Sequence, residues 1–240
     1  MRARFPLLLW SATIVYISLL LLAPSGVLPG DPVWAIQQET IDEVLGESLN
    51  FFFVLPLLNA AGVRVMEAAT LHPADEAFFN FAEVWIFMFL PLLWTDARGE
   101  KLPRTAIWSG AMFLTNIFLM PYMALRLGGE AEGAPAEKSP QQSPEKPAIA
   151  KLFGWIGIVV GSLAVSWLVY ARPEFGTLAD RGEYWLTRLV GDRVTLAFFC
   201  DVLLFWAFQV WLIGDIEPEG SPTRGLRFVP FWGLAFWLVL

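Results

Sequence analysis

Long uncharged runs alternate with short charged loops along the whole chain, and seven such runs organise it: 5–23, 49–63, 77–94, 105–125, 152–171, 195–214 and 228–240. At about 1.5 Å of rise per residue, most are long enough as helices to cross roughly 30 Å of hydrocarbon. The stretch from Phe78 to Arg126 is the clearest unit: two apolar runs joined by the charged loop DARGEKLPR. The first run carries one acid, Glu83, and the second carries no charge. The pattern predicts an all-α, polytopic helical membrane protein of about six or seven transmembrane helices.

Each run adds detail. Basic residues ahead of the first run, with an apolar stretch longer than a signal peptide needs, predict a retained helix with a cytoplasmic N-terminus; cleavage after Val33-Trp34-Ala35 is the alternative. The loop from Pro24 to Glu47 holds five acids and no Lys or Arg, as expected beyond the far face of the membrane. Within it, Ile36 to Leu49 spaces its apolar residues as an interfacial amphipathic helix would. The run over 49–63, interrupted by Asn50, Pro56, Asn59 and Gly62, predicts a kinked span, with a re-entrant segment as the alternative. Gly157, Gly161 and Ala164 offer a small-residue face for helix packing. A second interfacial helix is expected between Arg172 and Arg193, anchored by Tyr184 and Trp185. Residues 128–150 are built of Gly, Ala, Pro, Glu, Ser, Gln and Lys plus one isoleucine, with no aromatic residue, and predict a disordered linker between membrane halves 1–127 and 151–240.

Setting Phe79 over Phe198 also aligns Phe89 with Phe208, Leu93 with Leu212 and Asp96 with Asp215. The expectation is a duplicated helical hairpin, against coincidence in an apolar alphabet. If every run crosses once, three crossings separate the copies, which would then be inverted. Lys and Arg do not orient such a chain, since the 16 divide nine to seven whether or not 49–63 spans.

Composition agrees with the patterning: 56% of residues are hydrophobic and 16% charged. The net charge of −7 comes from loop acids, and no basic, aromatic-interleaved patch suggests nucleic acid as a partner. Cys200 is the only cysteine and His72 the only histidine, so neither a disulfide nor a conventional zinc or diiron site is expected. Cys200 reads as a buried structural residue and His72 as an interfacial loop residue. No metal-binding, nucleotide-binding or nucleophile motif is present.

At residues 152–240 the order is span, charged stretch with Trp185, FFCDVLLFWAFQVWLIGD, charged loop and final apolar run. This half resembles the bacterial membrane domain of unknown function 2834. The whole chain, with LNFFFVLPLLN, LHPADEAFFN, FLTNIFLMPYMALR and ARPEFG, resembles uncharacterised membrane proteins of cyanobacteria and plastids. The resemblance implies a small helical membrane protein of a phototroph, in a plasma or thylakoid membrane, and implies no chemistry.

Candidate chemistry lies with the two intramembrane carboxylates, Glu83 and Asp201, each placed nearer an interface than the midplane. Asn80, one turn before Glu83, is the expected first partner. Asn116 and Gln209 are further polar candidates, with Asn50 and Asn59 as interhelical hydrogen-bonding groups. Tryptophans near run ends, Trp34, Trp94, Trp108, Trp155, Trp211 and Trp237, predict interfacial belts, with a pigment or isoprenoid pocket as the alternative. Three functions are open on these residues. The first is a non-enzymatic subunit or assembly factor that packs against the lipid bilayer, other membrane proteins or pigments, with no cofactor of its own. The second is a small proton- or ion-coupled carrier using Glu83 and Asp201. The third is a membrane enzyme acting on a lipid or isoprenoid.

Overall fold

A computed structural model describes residues 4–128 and 143–240; residues 129–142, most of the expected linker, lie outside the described residues. Every regular element among the described residues is helical. Among the described residues, four helices are long and apolar enough to cross a membrane: Phe5–Leu22, Pro73–Thr95, Ala150–Tyr170 and Arg193–Ile216. The chain divides into two compact units, Met1–Ile17 with Trp85–Ile158 and Asp201–Leu240, and Ser18–Val84 with Val159–Cys200.

The first unit is built on the C-terminal half of α4 (Pro73–Thr95), whose Trp85, Ile86, Met88, Phe89, Leu92 and Leu93 are all buried. The charged loop after α4 leads into α5 (Arg104–Leu114), which runs back along it. Arg104 caps the C-terminal carbonyls of Leu93, Trp94 and Asp96, Trp94 donates to Thr105, and Trp108 donates to the carbonyl of Ile86. The apolar run expected to continue to residue 125 instead breaks at Thr115, where φ is 42°. There α6 (Asn116–Gly128) turns back. It starts beside Asp201 and ends with Arg126 on Asp96 and Asp215, so the segment expected to cross once is a helical hairpin. With 11 residues, α5 advances only about 16 Å before the turn.

Helix α9 (Arg193–Ile216) and α1 (Arg4–Ile17) complete this unit with α10 (Trp232–Val239) and the start of α7 (Ala150–Tyr170). The α1 helix runs antiparallel to α9, with Phe5 against Trp211 and Tyr16 bonded to Asp201. After α9 the chain bends inward through a 3-10 segment, Pro222–Phe228. Phe231 then packs on Trp85, and α10 returns until Trp237 reaches Glu217. At eight residues α10 is too short to cross, and Trp237, expected in a belt, is fully buried. Close approach here depends on glycine: a Cβ at Gly154 of α7 would lie 2.7 Å from the carbonyl oxygen of Ala235.

In the second unit, the expected helix over 49–63 is a tight turn followed by the seven-residue α3 (Val54–Ala60). Phe52 and Phe53 adopt positive φ, a conformation costly for side chains of this size. The buried Asn80 offsets that cost, its Oδ1 accepting the amide of Phe53 at 3.2 Å. Asn59 ties the far end, bonding Val63, Met66 and Ala68. The two expected amphipathic helices are present as α2 (Gln38–Ser48) and α8 (Leu178–Gly191). Thr177 and Asp180 form a capping box that starts α8. Here α7 runs antiparallel to α4, with Trp167 donating to Glu76 and Arg172 to the carbonyl of Leu71.

The aligned copies meet. Phe79 packs on Phe198 at 5.9 Å in the second unit, and Trp85 on Phe205 at 6.1 Å in the first. In the first unit α4 and α9 run in the same direction, Trp85 meeting Phe205 and Asp96 meeting Asp215 through Arg126. The expected inverted relation fails because it counted the α5–α6 hairpin as a crossing.

Candidate functional site

Asp201 lies on the ninth residue of α9 and is 4% exposed. Three neutral donors converge on it: the Tyr16 hydroxyl on Oδ1, Asn116 Nδ2 on Oδ1 at 2.6 Å, and the Thr115 hydroxyl on Oδ2 at 2.7 Å. Asp201 and Asn116, separate polar candidates in the sequence, are brought together here, while Tyr16 and Thr115 are additions. A Thr-Asn pair midway along an uncharged run is the one signal that could have pointed to the turn. At Thr115 a β-branched residue holds positive φ, a strain of order 1–3 kcal/mol that its bond to Asp201 helps to offset. Asn116 is fully buried, and its Oδ1 has no hydrogen-bond partner.

The hairpin is closed at its other end by a charged cluster. Arg126, 2% exposed, grips Asp96 through Nε at 2.7 Å and Nη2 at 2.8 Å, and reaches Asp215 through Nη1 at 3.0 Å. Tyr122 adds a 2.5 Å bond to Asp96, and Arg98 a 2.9 Å contact to Asp215. The aligned residues Asp96 and Asp215 thus share one arginine. This cluster is internally matched, two acids against two arginines, and reads as a clamp. Gln209 is likewise committed: Oε1 accepts from Trp85 at 3.1 Å, and Nε2 donates to the carbonyls of Arg227 and Val229.

In the second unit, Glu83 is buried on α4, one turn past Asn80. The two ends of the Asn80 amide serve Phe53 and the carbonyl of Glu76. Glu76 pairs with Arg172 at 3.3 Å and accepts from Trp167 at 2.8 Å. Asn50 donates to the carbonyl of Ala69. A second acidic group joins α2 to α8: Arg188 bridges Glu43 at 2.5 Å and Asp192 at 3.5 Å, and Tyr184 donates to Asp75 at 2.6 Å. Glu47, beside them, is 7% exposed. Burial, then the negative charges of Asp75 and Glu43, push its carboxyl up from the ordinary 4.5 to about 8, against the pull of Arg188. His72 stacks on Tyr184 with ring centroids 3.6 Å apart and meets Phe175 edge-on. Burial, then the charge of Arg181, hold it below the usual histidine range.

An apolar cleft of about 390 Å³ lies among α4, α7 and α8, lined chiefly by Ala77, Phe78, Phe81, Ala164, Leu168 and Trp185. Arg181 at its edge caps the carbonyls of Leu168, Ala171 and Arg172. Cys200 is half-buried, less enclosed than expected. No group of three or more His, Cys, Asp or Glu side chains is placed to hold a metal among the described residues.

Comparison with protein-family models, with characterised proteins and with solved structures gives no match. Among the described residues the protein is all-helical, with four helices long and apolar enough to cross a membrane.

Proposed function

We propose that the chain is a non-enzymatic integral membrane protein, a structural subunit or assembly factor that packs against other membrane proteins, lipids or pigments. In this reading α1, α4, α7 and α9 cross the bilayer. The α5–α6 hairpin and the return from Pro222 to Val239 enter it from the side on which α4 and α9 end. This replaces six or seven crossings with four crossings and two re-entrant segments, and it makes the duplicated hairpins parallel.

Charge supports the topology. With four crossings, 11 of the 16 Lys and Arg residues fall on the side of the N-terminus, leaving Arg64, Arg172, Arg181, Arg188 and Arg193 opposite. The tie found for seven crossings disappears, and the N-terminal side becomes the cytoplasmic one. The resemblance of residues 152–240 to the bacterial domain of unknown function 2834, and of the whole chain to cyanobacterial and plastid proteins, favours a plasma or thylakoid membrane.

One observation carries the packing role. Polar groups on the long helices end on neighbouring helices, as in Trp85–Gln209 and Asp96–Arg126–Asp215, whereas their outward faces are apolar. Phe5, Leu7, Leu8, Trp10, Ile14, Val15, Leu19 and Leu22 are exposed, so the Phe5–Leu22 helix offers a broad apolar face to lipid or partners. The test is solubilisation from the native membrane in mild detergent, followed by mass spectrometry and an absorbance spectrum. A stoichiometric membrane-protein partner or a bound pigment is expected; recovery of the chain alone and colourless overturns the reading.

A further inference from the structure

The Asp201 site does something that packing does not require. A matched clamp such as Asp96 with Arg126 neutralises its own charge, but every group bonded to Asp201 is neutral. No Lys, Arg or His occurs from Phe5 to Ile17, from Thr105 to Leu125 or from Val194 to Gly214. Besides Asp201, the ionisable side chains on those stretches are Tyr16, Tyr122 and Cys200, and the carboxyl within the apolar run of α4 is Glu83. An uncompensated carboxylate in a low-dielectric interior costs several kcal/mol, and proton uptake removes that cost. The cluster also has room for one more hydrogen, because Asn116 Oδ1 is a buried acceptor with no donor.

We propose that Asp201, Tyr16, Thr115 and Asn116 form a proton-binding site at the tip of the α5–α6 hairpin. Hydronium gives one proton to the Asp201 carboxylate, leaving water and a neutral carboxyl. The new O–H donates to the Thr115 or Tyr16 oxygen, and that hydroxyl turns its own hydrogen to another acceptor; Asn116 Oδ1 is the one left without a donor. Loss of the proton reverses each step, and no electrons move. Tyr and Thr hydroxyls can exchange donor for acceptor in this way, whereas the Asn116 amide nitrogen only donates. Because Thr115 is also the strained residue at the turn, the proton and the hairpin tip share one hydrogen bond. Asn116 and Thr115 are positioning residues; Asp201 carries the proton.

The inference rests on insertion in a membrane and is independent of any partner. The experiment uses the full chain in phosphatidylcholine–phosphatidylglycerol nanodiscs, with infrared difference spectra recorded as the pH is lowered. A Glu47→Gln chain, which lacks the other buried carboxyl that protonates near neutral pH, is expected to show a protonated-carboxyl C=O band that Asp201→Asn abolishes and Glu83→Gln retains. Thr115→Val should keep the band but move its frequency, which a bystander threonine would not do. If Asp201→Asn does not fold, the Thr115→Val frequency decides. In that Glu47→Gln background, the absence of a titrating band, a band surviving in Asp201→Asn, a band lost in Glu83→Gln, or an unmoved frequency in Thr115→Val overturns the site. A wild-type chain released from membranes by alkaline carbonate overturns the membrane reading itself, so the two failures are distinguishable.

Discussion

Replacing Glu47 with Gln removes the one side chain whose ionisation most opposes the folded state of the second unit. In the unfolded chain the carboxyl titrates near 4.5, whereas in the fold it stays protonated up to about 8. A group whose pKa is raised on folding contributes stability below the unfolded value. That contribution is lost as pH climbs through the folded value. At about 1.4 kcal/mol per pH unit, the interval from 4.5 to about 8 amounts to about 5 kcal/mol. This is an upper figure, because buried sites relax and admit water when a charge forms. Glu47→Gln mimics the protonated form in shape, so it should match wild type near about pH 4 and exceed it by up to about 5 kcal/mol near about pH 8. Unfolding followed by tryptophan fluorescence in detergent micelles, at fixed ionic strength, measures the difference. An unchanged pH slope in the variant refutes the argument; it would mean that Arg188, already shared by Glu43 and Asp192, compensates Glu47 as well.

Three further outcomes follow from the architecture. In a Cys200→Ser background, single cysteines at Lys101 and Glu219 should react with an impermeant thiol reagent from the same side of sealed vesicles, and one at Glu174 from the other. Seven crossings would instead put Lys101 with Glu174. Arg126→Gln leaves Asp96 buried against Tyr122 without its bidentate cation and should cost about 3–5 kcal/mol in thermal unfolding; a loss below about 1 kcal/mol, the range of exposed ion pairs, refutes the clamp. Gly154→Ala faces the backbone oxygen of Ala235, whereas Gly157→Ala faces the flexible side chain of Met88, so the first should destabilise by about 1–3 kcal/mol and the second by less. Equal losses would mean that α7 and α10 can separate freely.

The helices of the fold were largely legible, and the turns between them were not. Uncharged length located α4, α7 and α9 within a few residues, and amphipathic spacing located α2 and α8. The break at Thr115 escaped because neither Gly nor Pro marks it: a hydroxyl bond to Asp201, 86 residues away, helps to hold the turn. Phe52 and Phe53 are similar, since their left-handed turn draws on an Asn80 side chain from another helix. The repeat shows the same division. Matching residues one by one gave the register in which Phe79 meets Phe198, but direction was inferred by counting crossings, and one apolar run was a hairpin. Of the candidate site, Asp201 and Asn116 were visible as rare polar residues in apolar runs. Tyr16 was hidden because nothing local sets it apart within the apolar run 5–23; its partner lies 185 residues away.

Tyr16 gives the first helix a second meaning. It is the α1 group that bonds Asp201, on a helix otherwise almost unburied. A chain cut after Ala35 would lose that hydroxyl together with the wall on that side, leaving the carboxyl to Thr115 and Asn116 alone. The leading helix is thus a wall of the carboxyl's site as well as a long apolar segment.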